Sequence, residues 1–369
     1  MKIGVNALYL LPGAVGGTEI YLRQLLRAIA TEDRENEYLV FTNRETGPDL
    51  VPESPHFRYC PQSVTAANRP ARILFEQFRL PAALTRERVD VLFNPGFTSP
   101  CFTRIPMVTV FHDLQHVRHP EHFKKIDLPF WHLLLRQSAK RSQRLIAVSE
   151  ATRKDILEHY VDMKPERIVT IHHGVQGEFF HIDRHVDEIS PYLLCVSTLH
   201  PHKNIERLLR VFQQIRKQRS NLRLILAGMR GFHTVHIERL VQTLQLASAV
   251  TITGWIAREE LYYLYAGAKV FVYPSTFEGF GMPVLEALAA QVPVACSAIA
   301  PLQEIAGDAA LFFDPHNESC MQTTIERLLD EPATAQALVA RGNMRVRQFS
   351  WENAARQTIE VLKSVRMCR

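Results

Sequence analysis

What this chain lacks narrows it first. No apolar stretch is long enough to span a membrane. The run that follows Met1 and Lys2 is interrupted by Asn6 and ended by Pro12 and Gly13, too early for a secretion signal as well. The six cysteines (Cys60, Cys101, Cys195, Cys296, Cys320 and Cys368) are scattered, and no two have the spacing of a metal knuckle or redox motif. A reducing cytoplasm is therefore expected. No dense basic stripe with interleaved aromatics appears, so nucleic acid is not an expected partner. Low-complexity tracts are also missing, and a net charge of +5 leans only weakly toward anionic partners such as nucleotides, diphosphates or lipid headgroups.

What is present is the text of a soluble α/β protein. The 369 residues exceed what one hydrophobic core usually serves, and 46% hydrophobic against 22% charged residues can fill two. Short apolar runs alternate with amphipathic helical stretches, the pattern of parallel sheets covered by helices. Strands are expected at 2–8, 38–42, 89–93, 107–111, 144–148 and 169–171 in the first half. In the second half they are expected at 192–196, 223–227, 250–253, 270–272, 292–295 and 310–313. Both halves read as doubly wound, Rossmann-like domains: 1–178, a charged and weakly periodic linker at 179–190, and 191–349. Ser350 is a suitable N-cap for a closing helix over 350–369.

Several chemistry-bearing groups fall at the ends of these strands, where open α/β sheets bind ligands. The densest is PSTFEGFGMPVLE at 274–286, a Gly-rich strand-to-helix turn whose backbone N–H groups and positive helix end suit an anion or sugar hydroxyls. Its two carboxylates, Glu278 and Glu286, are separated enough to meet different parts of one extended ligand. STLHPHKN at 197–204 carries Thr198 and Lys203, and GAVGGTE at 13–19 offers Gly16 and Gly17 for a close approach. His112 and Asp113 end one strand, Ser149 and Glu150 follow another, and His173 and Gly174 a third. Arg230, Gly254, Ile256 and Glu304 stand on similar rims. A tight turn, a surface lysine or a structural histidine is the plain alternative for each taken singly.

The segment FVYPSTFEGFGMPVLEALAAQVPVACSAIAPLQEIAGDAALFFDP resembles the donor-site signature of glycosyltransferase family 4, retaining enzymes of the GT-B fold with two Rossmann-like domains and a cleft between them. The resemblance is strong from Tyr192 onward and looser before, and FSWENAARQTIEVL resembles the family's last helix, which returns to the first domain. It implies transfer of a hexose from a nucleotide diphosphate sugar, with Glu278 on the transferred sugar and Glu286 on the ribose. Gly279, Phe280, Gly281 and Met282 would supply the turn and its backbone amides, with Val284 and Leu285 lining it. Lys203 would serve the diphosphate, with Arg230, Gly254 and Ile256 near the diphosphate and base. His112 would touch the sugar near the reacting centre, Asp113 supporting it, with Ser149 and His173 facing the cleft. Relatives commonly carry arginine at Thr198, asparagine at His173 and glycine at Gln291.

No Asp-x-Asp pair ends a strand, so a metal clamp is not expected and no cofactor is needed. A cation such as Lys203 must then neutralise the departing diphosphate. GDP-mannose is the expected donor and a UDP-sugar the alternative. The acceptor is expected to be a glycan or lipid-linked glycan in polysaccharide or lipopolysaccharide biosynthesis. A nucleotide-sugar epimerase and a non-catalytic nucleotide-binding module are the competing readings. Arg69, Arg72 and Arg79 beside Ile73, Leu74, Phe75 and Phe78, with Lys124 and Lys125 after Phe123, suggest peripheral contact with an anionic membrane at its cytoplasmic face.

Overall fold

A computed structural model describes residues 1–13 and 16–366. The chain divides into two compact units, one of Met1–Gly174 with Ser350–Arg369, the other of Val175–Phe349.

Among the described residues of the first unit, seven strands form one parallel sheet. They are β1 (Lys2–Ala7), β2 (Glu37–Thr42), β3 (Phe57–Pro61), β4 (Val91–Asn94), β5 (Met107–Phe111), β6 (Arg144–Ala147) and β7 (Ile168–Thr170), in the order β3-β2-β1-β4-β5-β6-β7. The second unit has β8 (Tyr192–Val196), β9 (Arg223–Ala227), β10 (Val250–Gly254), β11 (Val270–Tyr273), β12 (Val294–Ser297) and β13 (Leu311–Phe313), in the order β10-β9-β8-β11-β12-β13. Central strands such as β4, β5, β11 and β12 are buried at every position, because helices cover both faces of a parallel sheet. Strand β3, FRYCP, was not expected from sequence. It is an edge strand without a fully buried residue, so it lacks the apolar run that marks its neighbours.

Helix Trp351–Arg366 closes the first unit by packing on helix Gly17–Glu32, with Arg356 Nη1 3.0 Å from Glu32 and Lys363 Nζ 2.8 Å from Glu35. Gly174 lies so close to this segment that a Cβ there would meet the Trp351 nitrogen at 2.2 Å. The stretch 179–190, expected as a linker, instead belongs to the second unit. Phe179 is fully buried edge-on to Tyr262 and Tyr265, and the Arg184 guanidinium donates to the Ala268 carbonyl at 2.6 Å. Gln291 keeps the left-handed backbone, φ 58°, that glycine would adopt without strain.

Candidate functional site

In the second unit the strand order reverses between β8 and β11, the topological switch point where open sheets leave a crevice at their carboxyl ends. The two glutamate- and lysine-bearing loops issue from these two strands and are stitched together. Thr276 donates from its backbone N–H to the His202 carbonyl at 2.8 Å, and Asn204 Nδ2 donates to the Pro274 carbonyl at 3.1 Å. Asn204 itself adopts φ 58°, which turns the loop into helix Ile205–Arg216. The result is a close pair: Lys203 Nζ lies 2.5 Å from Glu278 Oε1, with the two side chains only 14% and 11% exposed. Tyr273, at the end of β11, accepts a 3.2 Å hydrogen bond from the same Nζ.

Glu286 sits one turn into helix Met282–Ala289, buried. It receives Arg258 Nη2 at 3.2 Å and the Tyr265 hydroxyl at 3.1 Å. The carboxylate pair thus occupies two separate stations, one held by a lysine and one by an arginine. Gly279 is in the loop, and Gly281 has φ 108°, with no room for a Cβ, which would fall 2.4 Å from Leu302 Cδ2. Met282 is the first helical residue.

Val284 and Leu285 follow the turn with their side chains fully buried in the core, and the Val284 N–H donates to the Gly281 carbonyl at 3.0 Å. Phe280 is likewise buried, its ring edge-on to Phe349 at 6.3 Å. Arg230 is turned to the surface, where it pairs with Glu238 at 2.8 Å. Thr198 and Ile256 are half-buried, and Gly254, φ 72°, accepts from the Gly228 N–H at 3.1 Å. Sequence reading missed Tyr273, Tyr265 and Arg258. Tyr273 was hidden in an apolar strand and the other two in a helix between motifs.

In the first unit, His112 directly follows β5 and is buried among Tyr21, Phe97 and His173, with ring centroids at 4.8, 5.2 and 5.7 Å. Its Nε2 lies 2.8 Å from the Pro95 carbonyl, just past β4. A carbonyl only accepts, so Nε2 carries the proton of the neutral ring and Nδ1 is left as an acceptor. Burial holds the His112 pKa down to about 4 and pushes that of His173 well below the ordinary histidine value. His173 stacks on Trp351, 5.8 Å between centroids, so the returning helix completes this aromatic box. Asp113 accepts from the Gln115 N–H at 2.9 Å. Ser149 caps helix Glu150–His159 by accepting from the Thr152 N–H at 3.0 Å. Gly16, φ 57°, is the N-cap of helix Gly17–Glu32, and Glu19 reaches back to the Gly13 N–H at 2.8 Å. Ala14 and Val15 of that expected loop lie outside the described residues, as does Cys368.

The basic apolar segment of the first unit is also revised. Arg72 and Ile73 are buried, Arg72 beside the buried Glu76. Leu74, Phe78 and Phe102 are exposed, and the last two stack at 5.3 Å. Lys124 and Lys125 are exposed next to Ile126, and Phe130 and Leu133 are exposed on the helix that follows. No helix among the described residues is long and apolar enough to cross a membrane.

Comparison with known proteins follows the same division. Residues 178–345 match the model of "Glycosyl transferases group 1" and residues 15–179 that of "Glycosyltransferase Family 4". The O-antigen chain mannosyltransferase B of Escherichia coli is 34% identical over 310 residues, covering 79% of this chain and 80% of the relative. The O-antigen chain mannosyltransferase RfbU of Salmonella typhimurium is 29% identical over 242 residues, covering 66% and 65%. Sucrose-phosphate synthase of Thermosynechococcus elongatus superposes with a TM-score of 0.82 over 100% of both chains, a likeness of fold at 22% identity.

Proposed function

The chain belongs to glycosyltransferase family 4, the group 1 glycosyl transferases of GT-B fold, and on that premise we propose that it transfers mannose from GDP-mannose to a growing glycan or lipid-linked glycan. The observation that carries the donor assignment is the Lys203–Glu278 pair at the switch point between β8 and β11. Lys203 takes the diphosphate, replacing the metal that other transferases use, and Glu278 turns to the transferred sugar. Glu286, held by Arg258 and Tyr265, accepts from the ribose hydroxyls. His112 presents a neutral ring to the sugar, with Asp113, Ser149 and His173 shaping its surroundings. Gly16 and Gly17 let the chain approach the donor closely.

Transfer with retention follows a front-face course in this reading. The acceptor oxygen attacks from the side the diphosphate leaves, and a leaving phosphate oxygen takes the acceptor proton. Mannose is supported by the two mannosyltransferase relatives; a UDP-sugar is the alternative. Release of free nucleoside diphosphate from a panel of nucleotide sugars tests the donor, with GDP-mannose expected to lead. Release from UDP-sugars alone would replace the donor, and binding without release from any would favour a nucleotide-binding module. Turnover is expected to survive excess EDTA, and loss restored by Mg²⁺ or Mn²⁺ would overturn metal independence.

We further propose that the first unit rests on an anionic membrane through Leu74, Phe78, Phe102 and Phe130, with Lys124 and Lys125 at the headgroups. Salt-sensitive flotation with anionic liposomes is expected. Absence of flotation at low salt would remove the idea.

A further inference from the structure

Outside the donor loops the second unit gathers three metal-ligating side chains from two helices. Glu206 stands in the first turn of helix Ile205–Arg216, His233 precedes helix Thr234–Thr243, and His236 lies in that helix's first turn. Their ligand atoms all lie within 4.8 Å of one another. Glu206 Oε1 is 2.6 Å from His233 Nε2 and 3.2 Å from His236 Nε2, and the two imidazoles stack at 4.6 Å. Both rings therefore turn the same nitrogen toward one carboxylate oxygen.

We propose that Glu206, His233 and His236 form a binding site for a single Zn²⁺-like transition-metal ion that takes no part in sugar transfer. Imidazole nitrogens and a carboxylate are the donor set such ions prefer, and neighbouring ligands on a four-coordinate ion stand about 3.3 Å apart for bonds near 2 Å. The Glu206–His236 separation already matches. The Glu206–His233 separation must open by about 0.7 Å to reach that spacing, which these partly exposed side chains can do. The remaining positions fall to water. Arg210 is the facing cation, but it sits on the other carboxylate oxygen, 3.5 Å from Glu206 Oε2, leaving Oε1 to the imidazoles.

Of the two other clusters of this type among the described residues, Asp155 and Glu158 are already bound by Arg118. His119, Glu121 and His122 come from a single short turn of four residues. The site joins two helices distant in sequence, so an ion there ties helix Thr234–Thr243 to helix Ile205–Arg216. Cysteine spacing carries no trace of this site, and its third ligand, Glu206, lies 27 residues before His233.

The test uses the untagged full chain, stripped with chelator and titrated calorimetrically with Zn²⁺, with Co²⁺ absorption as a report of coordination. One equivalent is expected to bind and to raise the melting temperature. Glu206→Gln and His236→Ala should each weaken Zn²⁺ binding by about tenfold or more, abolish the thermal shift, and leave the melting of the metal-free chain near wild type. The double variant His119→Ala/His122→Ala should bind Zn²⁺ as wild type does. The proposal falls if Glu206→Gln and His236→Ala keep wild-type affinity, or if binding is lost instead with His119 and His122. Excess EDTA should remove the ion while turnover continues, and loss of turnover on stripping would assign the ion to the reaction instead.

Discussion

Replacing Glu278 with glutamine separates two things the carboxylate does. It holds Lys203 at 2.5 Å in a site only slightly open to water, so an incoming diphosphate must first draw the ammonium away. A hydrogen bond between charged groups contributes about 1.5–3 kcal/mol, and one with a neutral partner about 0.5–1.5. Glutamine keeps an acceptor for Nζ and loses the charge, which lowers the competition by about 1 kcal/mol. Glu278→Gln should therefore bind free GDP about fivefold more tightly, since 1.4 kcal/mol is a tenfold change. Relief of repulsion between carboxylate and diphosphate acts in the same direction and fades with salt. Turnover should move the opposite way, falling by about a hundredfold, the scale of one lost transition-state contact. Calorimetry with GDP and a rate measurement on one preparation read both effects. In the Lys203→Met background the part of the gain that comes from the ion pair should vanish, leaving only the salt-sensitive part from relieved repulsion, because the partner of the interaction is gone. Unchanged or weaker GDP binding by Glu278→Gln would refute the argument that this ion pair competes with the donor.

Glu286→Ala should weaken free GDP by about 1.5–3 kcal/mol, roughly tenfold or more, and lower thermal stability because Arg258 and Tyr265 lose their buried partner; calorimetry and melting on one sample check both, and wild-type GDP affinity would remove Glu286 from the ribose. Gly281→Ala should cost about 1–3 kcal/mol in urea unfolding, since φ 108° is strained for alanine and its Cβ would collide with the buried Leu302; a variant as stable as wild type would contradict that geometry. His112, with a folded pKa of about 4 against the ordinary 6.5, adds stability that is complete above pH 6.5 and lost as pH falls toward 4, because the unfolded chain binds the proton first. The lost contribution is roughly 3 kcal/mol at 1.36 kcal/mol per unit, so His112→Gln should lower the slope of the stability–pH curve between pH 6.5 and 4 by this one histidine's share, His116 and His173 keeping theirs, and an unchanged slope would refute it.

The sequence by itself determined the architecture and the position of the donor loops. All twelve expected strands form, three with the expected bounds and nine with ends displaced by one or two residues, and this reflects a simple cause: a parallel strand covered on both faces must be apolar throughout, and such runs are visible without a structure. The edge strand β3 escaped because an edge needs no such run. PSTFEGFGMPVLE and STLHPHKN were legible because a strand-to-helix turn with glycine or asparagine at left-handed positions leaves its mark in local text, as Gly281 and Asn204 bear out. Tertiary structure alone decided what those residues face. It turned Arg230 out to Glu238, sank Val284 and Leu285 into the core, and buried Arg72 beside Glu76. It also brought Lys203 to Glu278 across 75 residues, Arg258 to Glu286, and Trp351 to His173. Local periodicity specifies which element a residue belongs to, whereas its partners depend on which strands become neighbours, and that order is set by the packing of the whole sheet.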